Sequence, residues 1–411
     1  MNLSNLPIQE ICLSTLLLFF IVINNVSSSM MAYVMPHYPS WLLYATTIIY
    51  TMGFYLLAIW NGERPFSKEN LSFKNQSQFL WLGMWTFLNG LTFQFSDPWI
   101  SGNLAQLLSM LGIPCVWVLS KFLLKDSFTC YEMIGSSIVI FGIVFGSLPK
   151  VTCILPSVNS DCNSDGTWKK IPENSHTYSY KSNPPFMVIL FIISVVFQAV
   201  EQVWQDKAFR KPYQIKNATC LFWYNLYSIP PYIISIFLES IQYINGTDQN
   251  KSVQYAWENQ IHAFRCFFGD PYSDDTVLYN TTYSDKPQKN CYVNIDGGGI
   301  GGATLWPLLF VFGYLGMFYL NAVFIIKYNA FYASVLGTLA APLAAFVLSW
   351  KQIVGDNADP ISWYTVVGFL LILIGFLVKG KPNKNDEETL DDNEIESNLL
   401  NQKDDENNIL F

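Results

Sequence analysis

Ten apolar runs, each close to the twenty or so residues a helix needs to cross a hydrocarbon core of about 30 Å, alternate with polar stretches along the chain. They fall at residues 11–34, 41–60, 78–95, 104–124, 130–148, 185–204, 218–238, 304–326, 330–350 and 361–378. In hydrocarbon every backbone N–H and C=O must be bonded within the protein, so runs of this length predict helices and the polar stretches predict the loops between them. The expected fold class is all-α, a polytopic membrane protein with ten transmembrane helices. In the first run the apolar core Ile11 to Ile23 is followed by the small residues Ser27, Ser28 and Ser29, as in a cleaved leader, but no Lys or Arg precedes it, so it is read as a span.

Composition supports this reading. Hydrophobic residues make up 51% of the 411 and charged residues 13%, against roughly a quarter charged in soluble domains. Before Glu63 the only acidic, basic or imidazole side chains are Glu10 and His37. Much of the net charge of -8 comes from residues 380–411, a polar, acidic segment expected to be a disordered cytosolic tail. With no basic patch, nucleic acid is excluded as a partner.

Charge also sets sidedness, because Lys and Arg concentrate in cytoplasmic loops near span ends. Basic residues occupy every second loop, from Arg64, Lys68 and Lys74 through Lys121 and Lys125, then Lys207 to Lys216, then Lys327, to Lys379 onward. Both termini are therefore expected in the cytosol, and the long loops 149–183 and 239–303 on the lumenal face. The second loop carries glycosylation sequons at Asn245, Asn250 and Asn280, while Asn70, Asn75 and Asn217 make others on the cytosolic side. Cys153 and Cys162 lie in one long loop, Cys266 and Cys291 in the other. An oxidising lumen would let these four form disulfides. Three pairings are possible, and pairs within each loop are favoured because each closes a short segment.

A five-helix echo divides the chain into halves at 1–148 and 184–379. The fifth run contains Tyr131, Gly135 and Gly142, and the tenth contains Tyr364, Gly368 and Gly375 at the same spacing. The run before each holds a proline among small residues, Gly112-Ile113-Pro114 and Ala340-Ala341-Pro342. An odd number of spans per half reverses the second half in the bilayer, which implies an inverted five-plus-five repeat. Gly and Pro also occur in membrane helices for close packing alone.

Polar side chains inside spans are costly and mark cavities or partners. In the sixth run Gln198, Glu201, Gln202 and Gln205 follow i, i+3, i+4 and i+7, which places them on one helical face. In the first run Asn24, Asn25, Ser28 and Ser29 pair at i, i+4 in the same way. Two such stripes on equivalent helices could line one substrate pathway. Glu201 is the candidate proton-coupling carboxylate. The structural alternative is that it snorkels toward the cytosolic end, near Asp206 and Lys207, with the amides serving as interhelical glue.

Lys and Arg are absent from span interiors, which disfavours phosphorylated substrates and favours neutral, zwitterionic or cationic ones. Trp41, Trp60, Trp81, Trp306, Trp350 and Trp363 sit near run ends, as interfacial anchors do. No nucleophile-base set, nucleotide fingerprint, cofactor motif or metal-ligand cluster is visible, so an enzyme is not expected. Gly297 to Gly302 follows a loop rather than a strand and reads as a flexible connector.

These motifs resemble the chloroquine-resistance transporter family of the drug/metabolite transporter superfamily. Gly102 to Pro114 resembles that family's fourth helix, Gln205 to Lys211 the end of its sixth, and Phe331 to Pro342 and Gly368 onward match in order. The resemblance implies ten helices in an inverted repeat, a central cavity open to one side at a time, and proton-linked movement of small peptides, amino acids, glutathione or organic cations out of a vacuole or lysosome. It adds Asn89 and Asn321 to the cavity lining. Members from parasites carry four cysteines in the loop before helix eight and acidic residues in helices three and eight. Here that loop has Cys266 and Cys291, and 78–95 and 304–326 hold no Asp or Glu. A nucleotide-sugar carrier and a non-transporting scaffold or receptor are the rival readings. The chain's end, Asp405 to Leu410, resembles an acidic dileucine sorting signal.

Overall fold

The computed structural model describes residues 8–35, 38–97, 100, 102–124, 130–151, 185–209, 215–240, 253–269, 291, 294, 299–327, 330–355, 358 and 361–379. The described residues form helices and no strands. In chain order these are α1 (Ile8–Val34), α2 (Pro39–Trp60), α3 (Phe73–Ser96), α4 (Gly102–Ser109), α5 (Gly112–Leu124), α6 (Cys130–Val151), α7 (Pro185–Phe209), α8 (Asn217–Ser235), α9 (Val253–Phe267), α10 (Leu305–Lys327), α11 (Ala330–Leu348), α12 (Lys351–Val354) and α13 (Trp363–Lys379). A short 3-10 helix, Ile236–Ser240, follows α8 after the in-helix prolines Pro230 and Pro231.

Among the described residues, six helical stretches are both long and apolar enough to cross a membrane: Cys12–Val34, Pro39–Trp60, Gly102–Leu123, Phe186–Phe209, Asn217–Leu238 and Leu305–Ile326. Met133–Ser147, Leu339–Leu348 and Trp363–Gly375 are apolar but shorter. The third expected span forms as α3, yet its 24 residues include Lys74, Asn75, Gln76, Gln78, Asn89 and Gln94, which dilute its hydropathy.

The fourth expected span differs most from the sequence reading. It is two helices, α4 and α5, parted at Met110 and Leu111 by i to i+3 turns in which Met110 N donates to Leu107 O and Ile113 N to Met110 O. Pro114 explains the break, since it has no N–H to offer the carbonyl four residues back and its ring crowds that turn. Pro342 sits inside α11 without ending it.

The closest pairings join α6 to α13, α1 to α10, α3 to α7 and α2 to α8, with α1 also on α11, α5 on α7, α3 on α8 and α2 on α10. Glycine makes the tightest of these possible: a methyl group on Gly313 would stand 2.8 Å from the Asn24 backbone N, and one on Gly316 within 2.2 Å of the Phe20 ring. Van der Waals packing of this kind replaces the hydrophobic drive that lipid tails do not supply. Outward faces stay apolar, with Ile49, Met52 and Leu56 on α2 and Phe186 and Ile189 on α7 exposed.

One end of the bundle is closed by a single apolar cluster. Met30, Met31, Val34 and Met35 of α1 meet Trp41 and Leu42 of α2, Ala263 and Cys266 of α9, Trp306 of α10, and Ala344 and Leu348 of α11. A disulfide joins Cys266 to Cys291, one of the two within-loop pairs expected. Cys153, Cys162, Asn245, Asn250, Asn280, the loop 152–184 and the tail 380–411 lie outside the described residues. The glycine-rich connector is pinned rather than loose at Ile300, whose N–H donates to Ile353 O while its carbonyl accepts from Trp306 Nε1. At the opposite end, the sequon residues Asn70, Asn75 and Asn217 bond to Arg64 O, Glu69 O and Tyr319 O.

Candidate functional site

A cavity of about 160 Å³ lies among α1, α4, α5, α7, α10 and α11. Five carboxamides line it: Asn24 and Asn25 from α1, Gln198 and Gln202 from α7, and Asn321 from α10. Ser109, Met110 and Ile113 enter at the broken helix, and Ile21, Met317, Phe318 and Ile325 give the apolar wall. The described lining residues include no Asp, Glu, Lys, Arg or His.

The break between α4 and α5 falls at the cavity for a physical reason. An interrupted helix leaves backbone groups outside the regular ladder, and these are tolerated at membrane depth only beside protein or a watery space. Gly112 and Gly337 add space without side-chain bulk. Asn25 donates to Gln106 Oε1 at 3.1 Å, tying α1 to α4 at the cavity edge. Asn24 Oδ1 is buried with no hydrogen-bond partner, an acceptor left for a bound molecule or water.

The polar stripe on α7 divides between two environments. Gln198 and Gln202 line the cavity, whereas Glu201 and Gln205 are 2% exposed and turned away from it. Positions i and i+3 diverge by about 60° around a helix and i and i+1 by about 100°, so four residues of this spacing cover an arc wide enough to straddle two faces. Glu201 does not snorkel: both its carboxylate oxygens are buried. Thr86 and Asn89 of α3 stand beside it, and Tyr50, Tyr224, Tyr232 and Tyr314 lie within its electrostatic reach. Asp206 is buried too, and Lys207 Nζ rests 4.7 Å from the Trp204 ring. Ser28 is buried and Ser29 half-buried, and neither borders the cavity, nor does Asn89.

An aromatic stack links the two environments. Tyr50 lies on Tyr314 at 4.2 Å between ring centroids, Tyr314 lies on Phe318 at 4.1 Å, and Phe318 is part of the cavity wall. Tyr50 OH also shares a 2.6 Å hydrogen bond with Thr47.

Residues 11–379 match the model of the CRT-like family, described as chloroquine-resistance transporter-like. The chain belongs to this CRT-like family. Within it, the chain is 24% identical over 317 residues to Crt homolog 2 of Dictyostelium discoideum, covering 75% of this chain and 58% of that protein. It is 23% identical over 334 residues to Crt homolog 3 of the same organism, covering 78% and 62%. The chain thus spans about three-fifths of the length of these relatives. A solved protein structure superposes with a TM-score of 0.41 at 10% identity, covering 90% of this chain and 95% of the other. Family membership and the apolar helices together make the chain a multi-pass membrane protein of the CRT-like family.

Several residues at the site carry no signal that a span-by-span reading detects. Gln106, Ser109 and Met110 lie in a run that reads as uniformly apolar, and only Gly112-Ile113-Pro114 marks where the helix opens. Tyr314 and Phe318 are i, i+4 neighbours, a spacing that could have flagged the stack. Asp97, just past α3, is buried with Oδ2 unpartnered and lies two residues beyond the run searched for ionisable groups.

Proposed function

We propose that this CRT-like chain is a secondary-active, proton-coupled carrier that moves small peptides, amino acids, glutathione or organic cations across a vacuolar or lysosomal membrane, with both termini in the cytosol. The observation that carries the reading is a cavity inside the helical bundle whose polar side chains are five neutral carboxamides and the Ser109 hydroxyl, beside a buried carboxylate. Carboxamides offer both donors and acceptors, which suits a ligand with amide or zwitterionic character, and the missing cations give nothing for a phosphate to pair with. A carboxylate is expensive to hold away from water, so protonation of Glu201 and its exposure become linked variables, as coupling requires.

The helix pairings support an inverted five-plus-five repeat. If the first five spans are α1, α2, α3, α4 with α5, and α6, and the second five are α7, α8, α10, α11 and α13, then exchanging the halves turns α1 on α10 into α7 on α3. The same exchange turns α1 on α11 into α7 on α5, and returns α2 on α8 and α6 on α13 to themselves. All of these contacts are present. In such a repeat the substrate site lies at the interface of the halves, and rocking one against the other exposes it alternately to each side. The Met30 cluster would then be the closed lumenal gate.

The test is uptake of radiolabelled dipeptides, glutathione and an organic cation into proteoliposomes under an imposed pH gradient, comparing wild type with Glu201→Gln. Gradient-driven uptake of at least one class, lost in the variant, is the expected result. Uptake unchanged in the variant would remove Glu201 from coupling. No uptake of any class by folded protein would overturn the carrier reading for these substrates.

A further inference from the structure

α3 ends on a buried acid. Asp97 is 4% exposed, and its backbone is engaged, with its N–H donating to Phe93 O and its carbonyl accepting from Ile100 N. The side chain is different, since Oδ2 is buried with no hydrogen-bond partner. Such an oxygen is costly to hold as an anion, and at the C-terminal end of a helix the dipole opposes negative charge as well. The helices packed on α3 are α2, α7 and α8. α2 and α8 offer tyrosines and Cys220 but no Asp, Glu, Lys, Arg or His, and the charged residues of α7, Glu201, Asp206 and Lys207, all lie in its other half. Burial therefore sets the Asp97 carboxyl, pushing it up to about 7.

Its position relates it to Glu201. At 100° per residue Thr86, Asn89, Phe93 and Asp97 fall within an arc of about 80° on α3. Thr86 and Asn89 stand beside Glu201, and the Phe93 ring packs on Phe191 of α7 at 5.4 Å. One face of α3 thus runs along α7 from the Glu201 carboxylate to Asp97, with the two phenylalanine rings between them. The rise from Thr86 to Asp97 is about 16 Å. Asp97 stands at the end that the Met30 cluster closes. The chain after it leads to Gly102, where a methyl group would stand 2.9 Å from the side chain of Leu348, a member of that cluster.

We propose that Glu201 exchanges its proton by way of Asp97, which serves as the proton port at the closed end of the bundle. Asp97 takes a proton from water on that side and becomes the neutral acid. When the Phe93–Phe191 contact parts, water entering between α3 and α7 carries the proton on to the Glu201 carboxylate, which leaves Asp97 ionised and Glu201 neutral. The Thr86 hydroxyl and Asn89 amide are hydrogen-bonding groups for the last water before Glu201. The inference rests on the proton-coupled reading and goes beyond it by naming where the proton enters.

The experiment is a pH jump from about 8 to about 5.5, a range that spans the raised carboxyl, on the full chain in nanodiscs. Time-resolved infrared absorption follows protonated carboxyl groups, and the signals lost in Asp97→Asn and Glu201→Gln identify the two acids. The expected result is an Asp97 signal that precedes the Glu201 signal, and a Glu201 signal that rises about tenfold or more slowly in Asp97→Asn. Asp97→Glu, which keeps a carboxyl at the port, should restore most of the rate, which a merely structural role for Asp97 would not require. Equal Glu201 rates in wild type and Asp97→Asn overturn the proposal, as does an Asp97 carboxyl that stays in one state across the jump. Neither result touches the carrier reading, which the uptake test with Glu201→Gln decides separately. A Glu201 that never protonates in wild type overturns both the port and the coupling role of Glu201.

Discussion

Gly142 of α6 and Gly368 of α13 meet backbone to backbone: a methyl group on either would stand 2.9 Å from the carbonyl oxygen of the other. Two helical turns away, a methyl on Gly375 would stand 2.7 Å from Gly135 O. Gly135 and Gly368 hold equivalent places in the proposed repeat, as do Gly142 and Gly375, so exchanging the halves turns one pair into the other. Crossed pairing of this kind is what the proposed inverted repeat predicts for these two helices. Because the close atoms are backbone, they cannot swing aside. Gly142→Ala should therefore destabilise the protein by about 1–3 kcal/mol, read as a lower unfolding temperature in detergent. Gly337→Ala is the control, since nothing lies within 4 Å of its added methyl, and a helical Gly to Ala change should be neutral or slightly stabilising. Equal behaviour of the two variants would mean that α6 and α13 are not in this close contact.

Glu63 supplies a second check on the architecture. Its Oε2 accepts from both the backbone N and the Oγ1 of Thr219, each at 2.7 Å, so a carboxylate from the α2 to α3 connection caps the first turn of α8. Unpaired N–H groups and the helix dipole favour negative charge there. Glu63→Gln keeps the shape and removes the charge, and should cost about 1 kcal/mol. Faster amide hydrogen exchange confined to the first turn of α8 is the expected signature. Unchanged exchange would show that the cap contributes nothing.

The two checks also show what the sequence made legible. The glycine echo was readable because close packing in lipid needs small residues at a fixed spacing, and the same spacing recurs in 131–142 and 364–375. The cavity amides were readable for a similar reason, since Asn24, Asn25, Gln198 and Gln202 are conspicuous in apolar runs, and all four line it. The division of the α7 stripe was not readable, because a 100° arc fits one wide face or two adjoining ones until neighbours are placed. Nor was the Glu63 cap, whose two partners are separated by 156 residues. α9 escaped because its amphipathic pattern is short and lies in a loop defined only by its polarity.

The seating of α9 in the cluster that closes the bundle end should depend on pH through His262. Burial, and secondarily Arg265, hold its imidazole below the ordinary 6.5, with Glu258 opposing. A lowered value means that the unseated segment binds more protons than the seated one, so stability is fully present above about 6.5 and declines as pH falls through the lowered range. Hydrogen exchange over Val253–Phe267, corrected for intrinsic rates, should speed up between about pH 7.5 and 5.5, and His262→Gln should flatten that dependence. A wild-type profile as flat as the variant's would rule out this titration as a determinant of seating.

Asn24 and Asn25 are neighbours whose replacement should have opposite consequences. Asn24 Oδ1 is buried at the cavity without a partner, so the protein already bears the penalty of that unpaired acceptor. Asn24→Leu removes the orphan and should leave stability unchanged or raise it, while removing a hydrogen bond from any ligand that uses it. Losing one such bond weakens binding by about 1 kcal/mol, or several-fold in affinity. Asn25, by contrast, donates to Gln106, which is itself buried. Asn25→Leu strands the Gln106 oxygen and should destabilise by about 1–3 kcal/mol. Unfolding temperature and substrate KM measured on both variants separate the two roles. A stable Asn24→Leu with raised KM, beside a destabilised Asn25→Leu, is expected, because only the second amide is tied to another buried side chain, through Gln106.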